Sequence, residues 1–492
     1  MKYLKYYGIA ILLFFSILKA ESQQLRTLTF DEVIKLSEEQ SPNALMAKHR
    51  FRASYWDNRS FVANYLPWLT LTGTIPELSN SYNREFNSAT GGYEFVQTNT
   101  IQNIAALSLS QKIGLTGGSI ALESELTQFY DIEKDIRRYI TTPVSIALTQ
   151  PIFGYNSLKW QKKTEPLKYE RAKKIFLSDI ENVHRLATQN FFQLVRAQID
   201  KQIADMNYAN ADTLYGIANG RYNLGTIAED ELLQMQLQWL NAETSRKEAE
   251  MNLRDREIRM RSFLGFNDNV RLELILPTQV PELQVSSQEV FDLAMQNNPE
   301  IYTQQLNMLN AESEVARARA NRWRADIRAS YGLQNRQIDF LDAYKNPNQQ
   351  QRVRIGFSVP ILDWGEGRGR YRMAQSSLEL VQVQSNQAII DFQQTLLFDV
   401  EQFNLQASQV ATAALSDTVA MRMFDVTKQR FLIGKISVLE LNNADTRKDQ
   451  NRRAYVQALQ AYWTYFFNIR SLTLYDFIDR KPLDTDYDKL LD

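Results

Sequence analysis

The sequence is duplicated, and this duplication constrains the fold more than any other feature. Three segments of the first half have counterparts in the second: those starting at Phe30, Gln150 and Arg221 match those starting at Ser287, Val359 and Arg430. The first pair is displaced by 257 positions and the other two by 209, which places about 48 extra residues in the first copy. Two long copies predict two similar halves of one architecture, because solenoids are built from many short units.

Long helices are the clearest local prediction in each half. No glycine or proline occurs from Leu167 to Tyr215 or from Arg370 to Ile433. Apolar residues recur in both stretches at spacings of three and four, which is the helical period. A helix over the second stretch would be roughly 100 Å long at about 1.5 Å per residue. Such a rod requires lateral support from other helices, as in a coiled coil.

Each long helix is followed by a turn and a second helix, which predicts a helical hairpin in each half. Gly225 and Gly434 stand where the periodic stretches end, as expected for glycine in the left-handed conformation after a helix. The return helices are predicted from Thr226 to Leu264 and from Lys435 to Arg480, where glycine and proline are again absent.

Alternating segments before the long helices predict β-strands. Apolar and polar residues alternate in Val144–Thr149, Ile327–Leu333 and Val353–Val359. Segments of about nine residues with this pattern match membrane-barrel strands, but a soluble antiparallel sheet with one wet face would look the same. The extra residues of the first half, around a turn at Gly117-Gly118, predict either an additional barrel hairpin or a folded extracellular excursion.

The N-terminal residues have the composition of an export signal. Lys2 and Lys5 precede an apolar run from Ile9 to Leu18, and Ala20-Glu21-Ser22 supplies small residues for cleavage. The run is too short to span a bilayer as a helix. The chain has no cysteine, so it has neither disulfides nor thiolate metal sites. Its 56 basic and 57 acidic residues balance, which provides no basic surface for nucleic acid.

Short motifs at the ends of strands and helices carry a family resemblance. They are Tyr65-Leu66-Pro67, Gln150-Pro151-Ile152-Phe153, Pro360-Ile361-Leu362-Asp363-Trp364-Gly365, Arg221-x-x-x-Gly225 and Arg430-x-x-x-Gly434. With these motifs the chain resembles the TolC-type outer-membrane channel family over roughly residues 28–474. It departs from the family pattern at Arg324, where a proline is expected, and in the length of the first strand region.

The resemblance implies an α+β membrane protein with duplicated halves of strand pairs and long helical hairpins. Three identical chains would share one outer-membrane β-barrel, continued by an α-helical barrel in the periplasm. The expected segments are a signal peptide 1–22, a first repeat 23–265, a linker 266–285, a second repeat 286–474 and a C-terminal tail 475–492. Closure by several chains is also a physical requirement, because an open strand edge in lipid leaves its amides unpaired.

The implied function is that of a passive export conduit in a tripartite efflux or type I secretion system. Its expected partners are two further copies of the chain, a periplasmic adaptor protein, an inner-membrane pump and outer-membrane lipid. The alternative is a soluble periplasmic coiled-coil adaptor or structural protein, which would need no lipid-facing band. The sequence does not identify the exported cargo.

The candidate functional residues lie at the two helical turns. Arg221 and Arg430 either stabilise the helix C-termini or dock the adaptor, the second role being implied by the resemblance. Glu231 and Glu440, each six positions after a tip glycine, are implied to ring the pore aperture, where a trimer would triple each charge. Gln234 and Asn443 occupy a second aperture position and are neutral. The tip-turn candidates are therefore Arg221, Gly225, Arg430 and Gly434, and the aperture candidates are Glu231, Gln234, Glu440 and Asn443.

No catalytic, metal or cofactor site is expected. The two histidines, His49 and His184, stand alone within helical segments. Gly365-Glu366-Gly367-Arg368-Gly369 follows a predicted strand and opens a helix, but it has neither the dinucleotide spacing nor the lysine of a phosphate loop. We interpret it as a strand-to-helix turn, and the protein is expected not to be an enzyme.

Overall fold

The computed structural model describes residues 25–88, 90–266, 270–277, 279–322, 324–358, 361–433, 435–436 and 438–491. The predicted signal peptide, Gly434 and the pair Val359-Pro360 lie outside these residues. The chain divides into two compact units. One contains the chain up to Arg52, Lys173–Pro299 and the chain from Asp391 onward, and the other contains Ala53–Ala172 and Glu300–Ile390.

The described residues contain eight α-helices, and the helices of the two halves match in length. They are α1 (Phe30–Gln40), α2 (Pro42–Ala63), α3 (Ser157–Asn223), α4 (Glu229–Leu264), α5 (Ser287–Asn297), α6 (Pro299–Ala320), α7 (Glu366–Leu432) and α8 (Val438–Thr473). The matched pairs have 11, 22, 67 and 36 residues in both halves. The predicted duplication is therefore confirmed, and the extra residues of the first copy lie between α2 and α3.

One helix extends beyond the stretch that predicted it, and one predicted helix end was wrong. Helix α3 starts at Ser157, before the stretch from Leu167 to Tyr215, and it contains Pro166. Asn156 accepts a hydrogen bond from the Lys159 amide at 3.1 Å and so caps this earlier start. Helix α8 stops at Thr473 rather than Arg480, because Leu474 adopts a left-handed conformation with φ 51° and the chain leaves the helix.

The strands form one six-stranded sheet and two small pairs. They are β1 (Leu25–Leu28), β2 (Trp68–Asn87), β3 (Gly92–Lys112), β4 (Ser119–Asp131), β5 (Ile136–Pro151), β6 (Arg271–Leu274), β7 (Arg324–Gln337), β8 (Asn348–Ser358), β9 (Tyr475–Asp476) and β10 (Lys481–Pro482). The large sheet has the order β2-β3-β4-β5-β7-β8, and every neighbouring pair is antiparallel. Its strands have 11 to 21 residues, so the predicted strand length of about nine was too short.

The extra residues of the first half enter this sheet as two additional strands. Strand β4 pairs with β3 on one side and β5 on the other, along its whole length. The distal part of the β2–β3 hairpin, residues 80–87 with 92–99, pairs with no third strand. The structure thus places β3 and β4 within the sheet and extends the β2–β3 hairpin beyond its neighbours, while the barrel and extracellular locations stay predictions.

The main core of the helical unit joins the two copies of the repeat. Val33 on α1 and Val290 on α5 occupy equivalent positions and are both buried in one cluster with Phe30, Phe191 and Phe403. The rings of Phe30 and Phe191 meet edge to face with centroids 5.1 Å apart. In the same unit, β1 pairs in parallel with β6, which lies within the segment 266–285 predicted as a linker. The two halves of the chain are therefore tied together by both packing and strand pairing.

Candidate functional site

The six-stranded sheet has two chemically different faces. Its strand registers align two adjacent rows of residues across all six strands. One row is Leu69, Leu109, Leu122, Ile146, Tyr331 and Gln351. The next row is Thr70, Ser108, Glu123, Ser145, Gly332 and Gln350. Because successive residues of a strand point to opposite sides, the sheet carries an apolar face and a polar face.

The apolar face is uncovered within the chain. Leu109, Leu122 and Ile146, on three inner strands, have exposed fractions of 39, 44 and 49 %. A monomeric soluble protein rarely exposes a contiguous apolar patch larger than a few hundred Å². An apolar face of this kind is therefore the side expected to contact a hydrophobic phase or another protein. None of the helices in the described ranges combines the length and apolarity of a membrane span.

The turn between β3 and β4 lies at the edge of the sheet from which the long helices start. The Asn156 side chain, at the start of α3, donates to the carbonyls of Gly114 and Leu115 at 3.1 and 3.2 Å. Near this edge Gln111 donates to the carbonyl of Tyr65 at 2.7 Å. Strand β3 thus returns to the edge at which β2 began, and β4 and β5 form a second complete hairpin.

The strand-to-helix turn of the second half confirms our interpretation of the glycine-rich segment. Gly365 has φ 87°, and Asp363 accepts hydrogen bonds from the amides of Gly365 and Gly367 at 3.0 and 2.9 Å. The carboxylate of Asp363 thus occupies the start of α7 and satisfies amides that have no partner inside the helix.

The helical turn of the first half has the predicted glycine conformation. Gly225 has φ 69°, and its amide donates to the Tyr222 carbonyl at 2.9 Å. The Thr226 amide donates to the Arg221 carbonyl at 3.0 Å, which completes a Schellman motif at the end of α3. The side chain of Arg221 is exposed in the last turn, where a cation interacts favourably with the helix C-terminus.

The second helical turn repeats one of these bonds. The Lys435 amide donates to the Arg430 carbonyl at 3.0 Å, which is the counterpart of the bond from Thr226 to Arg221. Arg430 is exposed in the last turn of α7. Gly434 lies outside the described residues.

The aperture candidates occupy matched positions at the start of the return helices. Glu231 is the third residue of α4 and Glu440 the third residue of α8, and both are exposed. Gln234 and Asn443 follow one turn later and are also exposed. A carboxylate in the first turn stabilises a helix by itself, so these positions have a structural explanation that needs no pore. The roles of all four residues stay predictions.

Polar contacts between the helices near the tips were missed by the sequence reasoning. Gln238 on α4 and Asn442 on α8 donate to each other at 2.8 and 3.3 Å. Asn207 on α3 donates to Asp449 on α8 at 2.9 Å. Lys448 is nearly buried, with its ammonium 2.5 Å from Asp445 and 3.3 Å from Asp449. Of these contacts, only the spacing of Asp445 and Lys448 on one helix face could have been read from the sequence.

A cavity of about 560 Å³ lies among these helices. Its polar lining includes Asn207, Asn210, Gln238, Asn442 and Asp445. Burial raises the pKa of Asp445, while the neighbouring Lys448 opposes this shift. The cavity therefore combines amide groups with one lysine-paired carboxylate.

His184 belongs to a buried charged cluster. Its ring nitrogens lie 3.4 Å from Glu181 and 3.5 Å from Glu38, and Arg470 donates to Glu181 at 2.9 Å. Burial alone would lower the pKa of His184, but the two carboxylates outweigh burial and raise it. When it is protonated, His184 is thus held between carboxylates from α1 and α3. Among the described residues no group of three or more histidine, aspartate and glutamate side chains could hold a metal ion.

The fold is that of the outer-membrane channel proteins. The Campylobacter jejuni CmeC outer membrane channel shares 15 % identity and a TM-score of 0.67, over 94 % of this chain and 88 % of that one. The Vibrio cholerae outer membrane protein VceC shares 11 % identity and a TM-score of 0.63, over 92 % and 97 %. The Neisseria gonorrhoeae MtrE outer membrane channel in its open state shares 13 % identity and a TM-score of 0.51, over 93 % and 91 %.

The second half of the sequence also matches a family of known proteins. Residues 290–473 match the family described as outer membrane efflux protein. The first half repeats the same helices with the same lengths. The resemblance to TolC-type channels is therefore confirmed. No curated protein sequence matches the chain significantly.

Proposed function

We propose that this chain is the outer-membrane channel of a tripartite efflux or type I secretion system. Three copies form a passive conduit through the outer membrane and into the periplasm, and the conduit works with a periplasmic adaptor and an inner-membrane pump. The observation that carries the proposal is the six-stranded sheet with one apolar face, from which two helices of 67 residues start.

The sheet favours the channel over the soluble alternative. On the apolar face, leucine and isoleucine side chains of inner strands stay 39 to 49 % exposed, whereas a coiled-coil adaptor has no use for such a band. Exposing these side chains to water is unfavourable, whereas contact with lipid tails is not. The polar face, with Thr70, Ser108, Glu123 and Ser145 in its row, then lines the water-filled interior.

The helical hairpins provide the periplasmic part of the conduit. Roughly 100 Å of helix follows from 67 residues at about 1.5 Å each. The two tips end at Arg221 and Arg430, far along the chain from the strands, and we assign them to adaptor contact. The acids Glu231 and Glu440 would form two charged rings in a trimer, which favour cations at the mouth.

Membrane fractionation and bilayer recording test this proposal. We expect the protein in the outer-membrane fraction as a trimer that dissociates to monomers on heating in detergent. The purified trimer should conduct ions in a planar bilayer. A monomeric protein in the soluble periplasmic fraction would overturn the proposal and favour the adaptor.

A further inference from the structure

The sheet ends in two open edges that are complementary in direction. Strand β2 pairs only with β3, and β8 pairs only with β7, among the described residues. Because all neighbouring strands are antiparallel and the sheet has six of them, β8 runs opposite to β2. The β8 edge of one copy can therefore form a regular antiparallel ladder with the β2 edge of another.

Near their helix-side ends both edges carry exposed apolar residues on the apolar face. Leu69 and Leu71 on β2 are 60 and 74 % exposed, and Ile355 and Phe357 on β8 are 67 and 80 % exposed. Apolar residues on inner strands are less exposed, since they have neighbours on both sides. Soluble proteins protect such edges with short strands, charges that point inward or covering segments. Here the side chains of the two edges match, and a partner strand would complete the apolar row.

The polar face of the two edges is complementary in charge. Arg352 and Arg354 on β8 lie on this face, because they pair with Ser330 and Arg328 of β7. Glu77 on β2 lies on the same face, because it pairs with Gln102 of β3. None of the three makes an ion pair with another described residue of the chain. Pairing of β8 with β2 brings the two arginines toward the glutamate of the next copy.

The extra hairpin is a full member of the sheet between these edges. Strand β4 pairs on both sides from Ser119 to Asp131, and the preceding turn is held by Asn156 at the helix side. The path from β2 to β8 within one copy therefore crosses six strands.

We propose that β8 of each copy pairs with β2 of the next, so that three copies of the six-stranded sheet close one barrel of 18 strands. This inference rests on the proposed trimeric channel and specifies its barrel. The diameter of a barrel grows with its strand number, and barrels of roughly 16–18 strands leave an aqueous channel rather than a core filled by side chains. The sheet end of the conduit is thus an open pore wide enough for hydrated cargo, and any narrow gate lies in the helical part.

Cysteine cross-linking tests the β8–β2 contact, and the chain is suited to it because it has no cysteine of its own. Trp68 and Ser358 are the helix-side ends of β2 and β8, so pairing of these ends between two copies would set Leu69 opposite Phe357 on the apolar face. The L69C/F357C variant should give disulfide-linked dimers and trimers in outer membranes, and L71C/I355C should do the same. In the matched control T70C/F357C the two side chains point to opposite faces, and we expect no cross-link.

A smaller barrel makes a different prediction. If only β4, β5, β7 and β8 closed the ring, β8 would meet β4, and I120C/F357C would cross-link between copies instead. A nitroxide on Leu122→Cys should be accessible to oxygen in lipid, and one on Glu123→Cys should be accessible to a water-soluble nickel chelate. Water accessibility at both positions would mean that β4 lies outside the membrane.

The number of strands in a cryo-electron-microscopy map of the trimer decides the matter directly. A count of 18 supports the inference, and any other count overturns it. An outer-membrane trimer that cross-links through I120C/F357C would contradict the barrel of 18 strands but would agree with the proposed channel function. A soluble monomer would contradict both the barrel and the channel function.

Discussion

Nε2 of His184, on α3, lies 3.5 Å from a carboxylate oxygen of Glu38 on α1, and the two residues are far apart in the sequence. The other ring nitrogen faces Glu181 at 3.4 Å, and Arg470 of α8 also contacts Glu181. Glu38 belongs to the short first helix and His184 to the long third one. This cluster therefore connects the beginning of the repeat to its helical hairpin.

The stability of the helical unit should depend on pH through His184. The pKa of His184 is higher in the folded state than in the unfolded state. Its stabilisation of the fold is therefore complete below the unfolded-state pKa of about 6.5 and is lost as the pH rises through the folded-state pKa. Replacing His184 by Gln should therefore lower the denaturation midpoint more at pH 5.5 than at pH 8.5. The pKa of Glu38 is itself lowered by its hydrogen bond with His184.

The other histidine is a matched control for that experiment. His49 is exposed on α2. His49→Gln should leave the pH dependence of the midpoint as it is in the unmodified protein. An equal loss from His184→Gln at both pH values would mean that the ring acts by packing alone.

The turn after α3 should be sensitive to any side chain at Gly225. Gly225→Ala introduces a Cβ at φ 69°, which costs roughly 1–2 kcal/mol for an L-residue. Gly220→Ala is the control, because Gly220 lies inside α3 and its Cβ would also meet open space; there alanine should stabilise by about 0.5–1 kcal/mol. Chemical denaturation measures both changes. If Gly225 shapes the adaptor-binding tip, its variant should also lose cross-linking to the adaptor with the trimer intact.

The glutamates at the start of the return helices should set ion selectivity. The double variant E231Q/E440Q should reduce the preference for cations and the block by trivalent cations in planar-bilayer recordings, because it removes two negative rings from the mouth. Glu229→Gln is the matched control, since it removes a charge from the same first helical turn. Conversely, Gln234→Glu with Asn443→Asp should increase the cation preference. Unchanged selectivity in both double variants would place these side chains away from the aperture.

Tyr462 should anchor the segment between the two halves. Its hydroxyl is fully buried on α8 and donates to the carbonyl of Pro281 at 2.7 Å. Burial raises its pKa to about 12, so the hydroxyl remains a donor over the whole physiological range. Tyr462→Phe leaves the carbonyl unsatisfied and should cost about 1–3 kcal/mol in the free energy of unfolding. Tyr465→Phe, on the same helix and without a hydrogen bond among the described residues, should cost much less.

The sequence by itself determined the duplicated helical framework. Helical hydrogen bonds join residues four positions apart, and the apolar period of three to four is equally local, so α3, α4, α7 and α8 could be predicted with their glycine-terminated turns. The left-handed conformation of Gly225 followed from the same local argument. The exact helix ends did not, because Pro166 is tolerated and Leu474 leaves the helix for reasons of packing and capping that the period does not contain.

Only the tertiary structure decided how the strands and the polar side chains combine. Strand pairing joins residues distant in sequence, so alternation alone left open whether the extra residues of the first half enter the sheet; the register from β3 through β4 to β5 places them in it. The same holds for His184, which looked isolated in the sequence because Glu38 contacts it, and Arg470 contacts its neighbour Glu181, only after three helices have folded together. Local periodicity specifies elements and their lengths, whereas neighbours across elements depend on the long-range contacts that the folded chain alone establishes.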